Sequence, residues 1–107
     1  MIRWSTPTQP IVVHGADLTA TGCHVVVTIE QGCARLDVED PPMSYDSEAD
    51  CTTISVGLTQ EQTAAFRTGH ADVQVNAVDW SGYRVVSERA RVHVGSNLLD
   101  ERVESDA

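Results

Sequence analysis

The sequence predicts an all-β protein, a sandwich of about seven short strands with one short helix over residues 59–68. Three observations lead there. Val, Ile and Thr supply 29 of the 107 residues, and their stiff χ1 suits a pleated surface better than a helix. Only Trp4, Tyr45, Phe66, Trp80 and Tyr83 are aromatic, which fits two thin, Val-rich sheets packed face to face. Apolar residues recur with period two in short segments set apart by Gly, Pro and acidic residues, the pattern of half-buried strands. The length fits one domain, able to bury roughly two-thirds of its unfolded surface without metal or disulfide staples.

Residues 1–10 carry two prolines and no periodicity and read as an extended arm ahead of a sandwich over residues 11–99. Pro10 opens a first strand, Ile11 to His14, which Gly15 ends; proline is tolerated at a strand start or edge. Asp17 and Thr19 are turn residues able to bond nearby backbone. From Cys23 to Gln31, Cys23, Val25, Val27 and Ile29 share one face. Gly32 then breaks to a partner strand in which Ala34, Leu36 and Val38 point inward, so the two form a hairpin. Glu39 to Asp50 reads as an acidic loop around Pro41-Pro42. From Thr52 the alternation resumes, with Ile54, Val56 and Leu58 inward. Thr59-Gln60-Glu61-Gln62 is a capping box opening two to three helical turns, with Phe66 plugging one end of the core and Gly69 as the C-terminal cap. A last hairpin centred on Ser81-Gly82 pairs residues whose numbers sum to 163. Trp80 then faces Tyr83, Val78 faces Val85, Ala77 faces Val86 and Asp72 faces Arg91 as a cross-strand ion pair. Glu88 spoils this pattern on the inner face, and a bulge that turns it outward is the expected remedy. Residues 100–107 read as an acidic, disordered tail, and Leu98 and Leu99 could fold back.

The net charge is −9, and all seven basic residues are Arg. Residues 37–50 hold six acids and no base, the last 13 residues hold four acids and Arg102, and the remainder balances six acids against six Arg. Such a chain cannot gain the counterion release that drives nucleic-acid affinity, so nucleic acids and anionic membranes are excluded as partners. No apolar run approaches the ~20 residues of a membrane span, and the N-terminal residues lack a signal peptide's apolar core.

The chemistry-bearing residues argue against catalysis. Cys23, Cys33 and Cys51 are odd in number and form no C-x-x-C, which predicts free thiols in a reducing compartment. His14, His24, His70 and His93 show no paired ligand spacing. Asp46-Ser47-Glu48-Ala49-Asp50 opens like a calcium loop, but Cys51 and Gly57 occupy the positions where an EF-hand needs Gly and Glu. Nucleotide-binding and nucleophile-elbow motifs are missing. The reading therefore has no catalytic residue, no metal site and no cofactor. Trp4, Trp80 and Tyr83 are the candidate interaction residues, as an exposed contact patch or, for Trp80 and Tyr83, as a cross-strand aromatic pair.

Residues 4–99 carry a series of segments in a definite order. Thr6-Pro7-Thr8 precedes a short apolar strand and Asp17-Leu18-Thr19. Val27-Thr28-Ile29-Glu30-Gln31 follows, then Ile54-Ser55-Val56 leading to Leu58-Thr59-Gln60-Glu61-Gln62-Thr63 and Phe66. Val73-Gln74-Val75-Asn76, the Gly82 turn and Val92-His93-Val94 close it. This order resembles a family of small structural proteins of tailed bacteriophages and prophages of gut bacteria, and is similar to the immunoglobulin-like N-terminal domain of phage baseplate upper proteins. The resemblance implies an immunoglobulin-like β-sandwich serving as a non-enzymatic virion or tail module. It would dock other tail, baseplate or neck proteins and assemble with its own copies, in the host bacterial cytoplasm and then in the virion. The acidic Pro-Pro segment and the cysteines match nothing in that family. A bacterial β-sandwich binding or adhesion module is the alternative, and a small hydrolase the weaker one.

Overall fold

A computed structural model describes residues 1–19, 23–79, 81–87, 89–99, 101 and 103. It is an all-β sandwich of two sheets with one short helix. The strands are β1 (Thr8–His14), β2 (His24–Gln31), β3 (Ala34–Glu39), β4 (Met43–Asp46), β5 (Cys51–Gly57), β6 (Gly69–Val78), β7 (Arg84–Val86) and β8 (Ala90–Val94), with helix α1 (Gln60–Ala64) between β5 and β6. One sheet has the order β1-β5-β4; the other runs β3-β2-β6, with β7 and β8 following each other along the far side of β6. All strand pairs are antiparallel. Each hairpin stays within one sheet, and the chain changes sheet after β1, β3 and β5.

The inward faces are those the alternation marks. Val25, Val27 and Ile29 of β2, Ile54 and Val56 of β5, and Ala71, Val73, Val75 and Ala77 of β6 are buried together with Leu58 and Phe66. Gly32 takes φ +56° at the first position of the two-residue β2–β3 turn, where a II′ turn calls for glycine. At the far end of β3, Asp40 adopts φ +46°. Its carboxylate accepts the Val25 amide (2.9 Å) and stands 2.8 Å from His24 Nδ1. These contacts, the Val25 amide first, hold its pKa below the usual carboxylate range. Asp40, Pro41 and Pro42 then carry the chain across to β4, closing that side of the sandwich.

Four expectations are corrected. The acidic segment is not all loop: Met43–Asp46 forms β4 against β5, because Met43 finds partial burial on the core and β5 offers an unpaired edge. The helix stops at Ala64, and Gly69 opens β6 with φ +131° rather than capping α1. The capping box forms, with Thr59 Oγ1 accepting the Gln62 amide (3.2 Å) and Gln62 Oε1 accepting the Thr59 amide (2.9 Å); burying Phe66 then takes the chain out of the helix. Leu98 does not fold back and is fully exposed.

The last hairpin has two registers. Val92, Arg91 and Ala90 face Ala71, Asp72 and Val73, a sum of 163, whereas Arg84, Val85 and Val86 face Val78, Ala77 and Asn76, a sum of 162. Near the turn, therefore, Val85 and not Val86 looks inward. The cause is Asp79, whose Oδ1 accepts the Ser81 hydroxyl (2.7 Å), the Ser81 amide (2.9 Å) and the Tyr83 amide (3.0 Å), favouring a loop one residue longer. Between the Asn76–Val86 and Val73–Ala90 pairs the register shifts by one residue, the offset that a β-bulge introduces. Glu88 and Trp80 lie outside the described residues. Asp72 and Arg91 stand opposite without closing an ion pair; among the described residues the ion pairs are His24–Asp40 and Arg35–Asp37.

Residues 1–7, read as part of an arm, are tied to the body. Ile2 bridges Gly95, Arg3 Nη2 donates to the Ala64 carbonyl (3.1 Å), Thr63 Oγ1 to the Ser5 carbonyl (2.8 Å) and Asn97 Nδ2 to the Arg3 carbonyl (3.0 Å). A Cβ on Gly95 would lie 2.7 Å from Ile2 Cδ1, the movable end of that side chain, so a larger residue there would displace the Ile2 side chain. In the tail, Val103 exchanges two hydrogen bonds with the Gln60 amide side chain (2.8 and 2.9 Å).

Candidate functional site

The two sheets differ in width. β4 closes over β3 and β5 lies over the middle of the sandwich, but β1 ends the narrower sheet before β7 and β8 are covered. A cleft of about 570 Å³ results, lined by β1 from Gln9 to His14, by Val73 and Val75, and by Val85, Ser87, Ala90 and Val92. Burial falls away across it: Val73, Val75 and Ala77 of β6 are buried, Val85 and Val92 are half-buried, and Ala90 is exposed although it pairs with inward-facing Val73. The lining is mainly aliphatic, as in most binding clefts, with Gln9, His14, Ser87 and Arg91 as its polar members. Ser87 serves the bulge, its Oγ accepting the Val75 amide (2.9 Å).

Both strands beside the cleft resist uncontrolled pairing. The Ser55 amide donates to Pro42, on the β4 side, so Pro10, opposite Ser55, turns its nitrogen to the open edge, where no amide is missed. The β7–β8 edge is interrupted by the bulge. Proline and bulges are the usual devices against edge-to-edge aggregation.

Of the aromatic residues singled out in the sequence, Trp4 and Tyr83 lie at opposite ends of the sandwich, and Trp80 is outside the described residues. Trp4 is half-buried with φ +65°, beside the helix end of the sandwich. Tyr83 is 69% exposed in the opposite turn, where its carbonyl accepts the Asp79 amide. Asp79 thus faces Tyr83. Sequence reasoning missed the cleft because it is made by unequal sheet widths; the exposed Ala90 among inward positions has no signature in a linear pattern.

The acidic β4–β5 turn uses its oxygens internally. Asp46 Oδ1 accepts the Glu48 and Ala49 amides, and Tyr45 donates its hydroxyl to Asp50 Oδ1 (2.7 Å). That bond, with burial and the Asp50 charge, pushes the Tyr45 phenol up to about 12. Its folded value lies above the unfolded one near 10, so the bond's stabilisation is complete below pH ~10 and is lost as pH rises through ~12. With no Lys in the chain, this window is free of amine titration. Phenolate absorbance, taken as the difference between the protein and Tyr45→Phe, should show a midpoint near 12, and Asp50→Asn should bring it down. A midpoint near 10 in the unaltered protein would rule out the bond.

The three cysteines are free, and Cys33 is exposed. Among the described residues no helix is long and apolar enough to cross a membrane. Comparison with known proteins finds no matching family model, no matching curated protein and no matching solved structure.

Proposed function

We propose that this chain is a non-enzymatic assembly module, docking through the open side of its sandwich, in keeping with its resemblance to small structural proteins of bacteriophages and prophages. The observation that carries the reading is the uncovered inner face of β7 and β8. Apolar side chains facing the space between two sheets gain from being covered, and the cleft runs along two strand edges, a natural seat for another polypeptide.

Charge points to a second copy as one occupant. Residues 84–94, bordering the cleft, hold Arg84, Arg89 and Arg91 against Glu88, a net of +2. Residues 35–50, at the opposite edge, hold six acids against Arg35, a net of −5. Contacts between like edges repel, so copies join head to tail, a heterologous interface that closes into a ring or continues as a filament. Other tail, baseplate or neck proteins would meet the same surfaces. An adhesion module drawing on the acidic turn for calcium is less well supported, since Asp46 and Asp50 are engaged by backbone amides and by Tyr45.

Sedimentation velocity across a concentration series tests the reading. The full chain should associate with rising concentration. Ala90→Asp, which sets a carboxylate in the cleft at an exposed position, and Arg84→Glu should each weaken association at least tenfold without lowering the melting temperature. A strict monomer at millimolar protein, or association indifferent to both substitutions, would remove self-assembly through this cleft.

A further inference from the structure

The fold brings together two metal-ligating side chains that are 23 residues apart in the sequence. His70 of β6 and His93 of β8 stand directly opposite each other, both are exposed, and their rings meet edge to face with centroids 5.8 Å apart and planes at 68°. The surrounding hydrogen bonds fix the kind of pair. The His93 carbonyl accepts the Met1 amine (2.7 Å), on the side of β8 away from β6. The His70 carbonyl accepts from Gln31 Nε2 (3.3 Å), on the β2 side. Neither residue therefore spends its carbonyl on the other. They form a non-hydrogen-bonded pair, the position in an antiparallel ladder where Cα atoms approach to about 4.5 Å and side chains come closest.

We propose that His70 and His93 are a chelating site for a divalent transition-metal ion, one imidazole nitrogen from each strand, fastening β8 to β6. Imidazole is the commonest metal ligand of proteins and suits zinc, copper and nickel, whereas magnesium and calcium require oxygen. Metal–nitrogen distances of about 2.0–2.1 Å place two ring centres roughly 5 Å apart around a tetrahedral ion. The present separation is a little wider, and exposed rings close it by small χ rotations. Among the described residues no three His, Cys, Asp or Glu side chains gather, so the donors are these two rings, and water completes the shell. Asp72 and Arg91 lie two residues along on the same face; the cation keeps the site from being a general cation trap.

Calorimetric titration of the full chain with Ni²⁺ near pH 7.5 decides the matter, with melting curves alongside. One saturable Ni²⁺ per chain is expected, with a raised melting temperature, and Mg²⁺ should do neither. His70→Gln and His93→Gln, both at exposed positions, should each weaken binding at least tenfold while melting like the parent in the absence of metal. Cys33→Ser, which removes the exposed thiol as a competing ligand, should bind like the parent. No saturable binding up to millimolar Ni²⁺, binding that persists in either histidine variant, or binding lost in Cys33→Ser would each overturn the assignment.

Discussion

Phe66→Ala should cost about 3–5 kcal/mol of folding stability, the range for truncating a fully buried large aromatic side chain. Phe66 is the chain's single phenylalanine and is 1% exposed. It lies just beyond α1, where the chain turns from one sheet to the other, so its ring closes the core at the helix end. Its neighbours cannot collapse into the space easily. β5 and β6 are fixed by their ladders, and the far side is held by the seam of Arg3, Ser5 and Thr63. Since 1 kcal/mol corresponds to about 4–8 °C for a domain of this size, the melting temperature should drop by more than ~12 °C, if the variant folds at all. Phe66→Leu, which keeps most of the volume, should lose far less. Equal melting temperatures for Phe66→Ala and the parent would show that the ring is not part of the core.

Thr52→Val is the second large effect, although it removes only a hydroxyl. Thr52 is fully buried on β5. Its Oγ1 accepts the buried Leu18 amide (3.0 Å) and donates to the Ala16 carbonyl (2.8 Å), pinning the start of the crossing from β1 towards β2 to the sheet that β1 and β5 share. Valine fills the same space but leaves the Leu18 amide without an acceptor, and a stranded buried polar group costs about 1–3 kcal/mol. Thr52→Ser retains both hydrogen bonds and gives up a methyl group. Urea unfolding midpoints should therefore rank parent, then Ser, then Val. Val equal to or above Ser would mean that water or another group satisfies Leu18.

What could be read in the linear sequence is what local physics dictates. The period-two runs on β2, β5 and β6 mark the buried faces, because a strand has only two faces and one of them meets the core. The Thr59–Gln62 capping box is equally local, its donors and acceptors lying within four residues. Gly32 announces its turn for the same reason. The outer register of the last hairpin followed from matching Asp72, Val73 and Ala71 to their partners, since a slip of one residue would have mixed polar and apolar faces.

Tertiary structure decided the rest, wherever a segment's state depends on groups distant in sequence. β4 is a strand because β5 presents an open edge to it; its four residues, set among acids and prolines, hold too little pattern to say so. The helix ends early because Phe66 is drawn into a core built by other strands. Near the turn the register slips by one because the Asp79 carboxylate gathers three donors, and the offset is taken up before Ala90 pairs with Val73. The cleft and the His70–His93 pair lie at the end of this scale. The cleft arises from one sheet being narrower than the other, and the pair from two strands meeting 23 residues apart, and neither quantity belongs to any single stretch of chain.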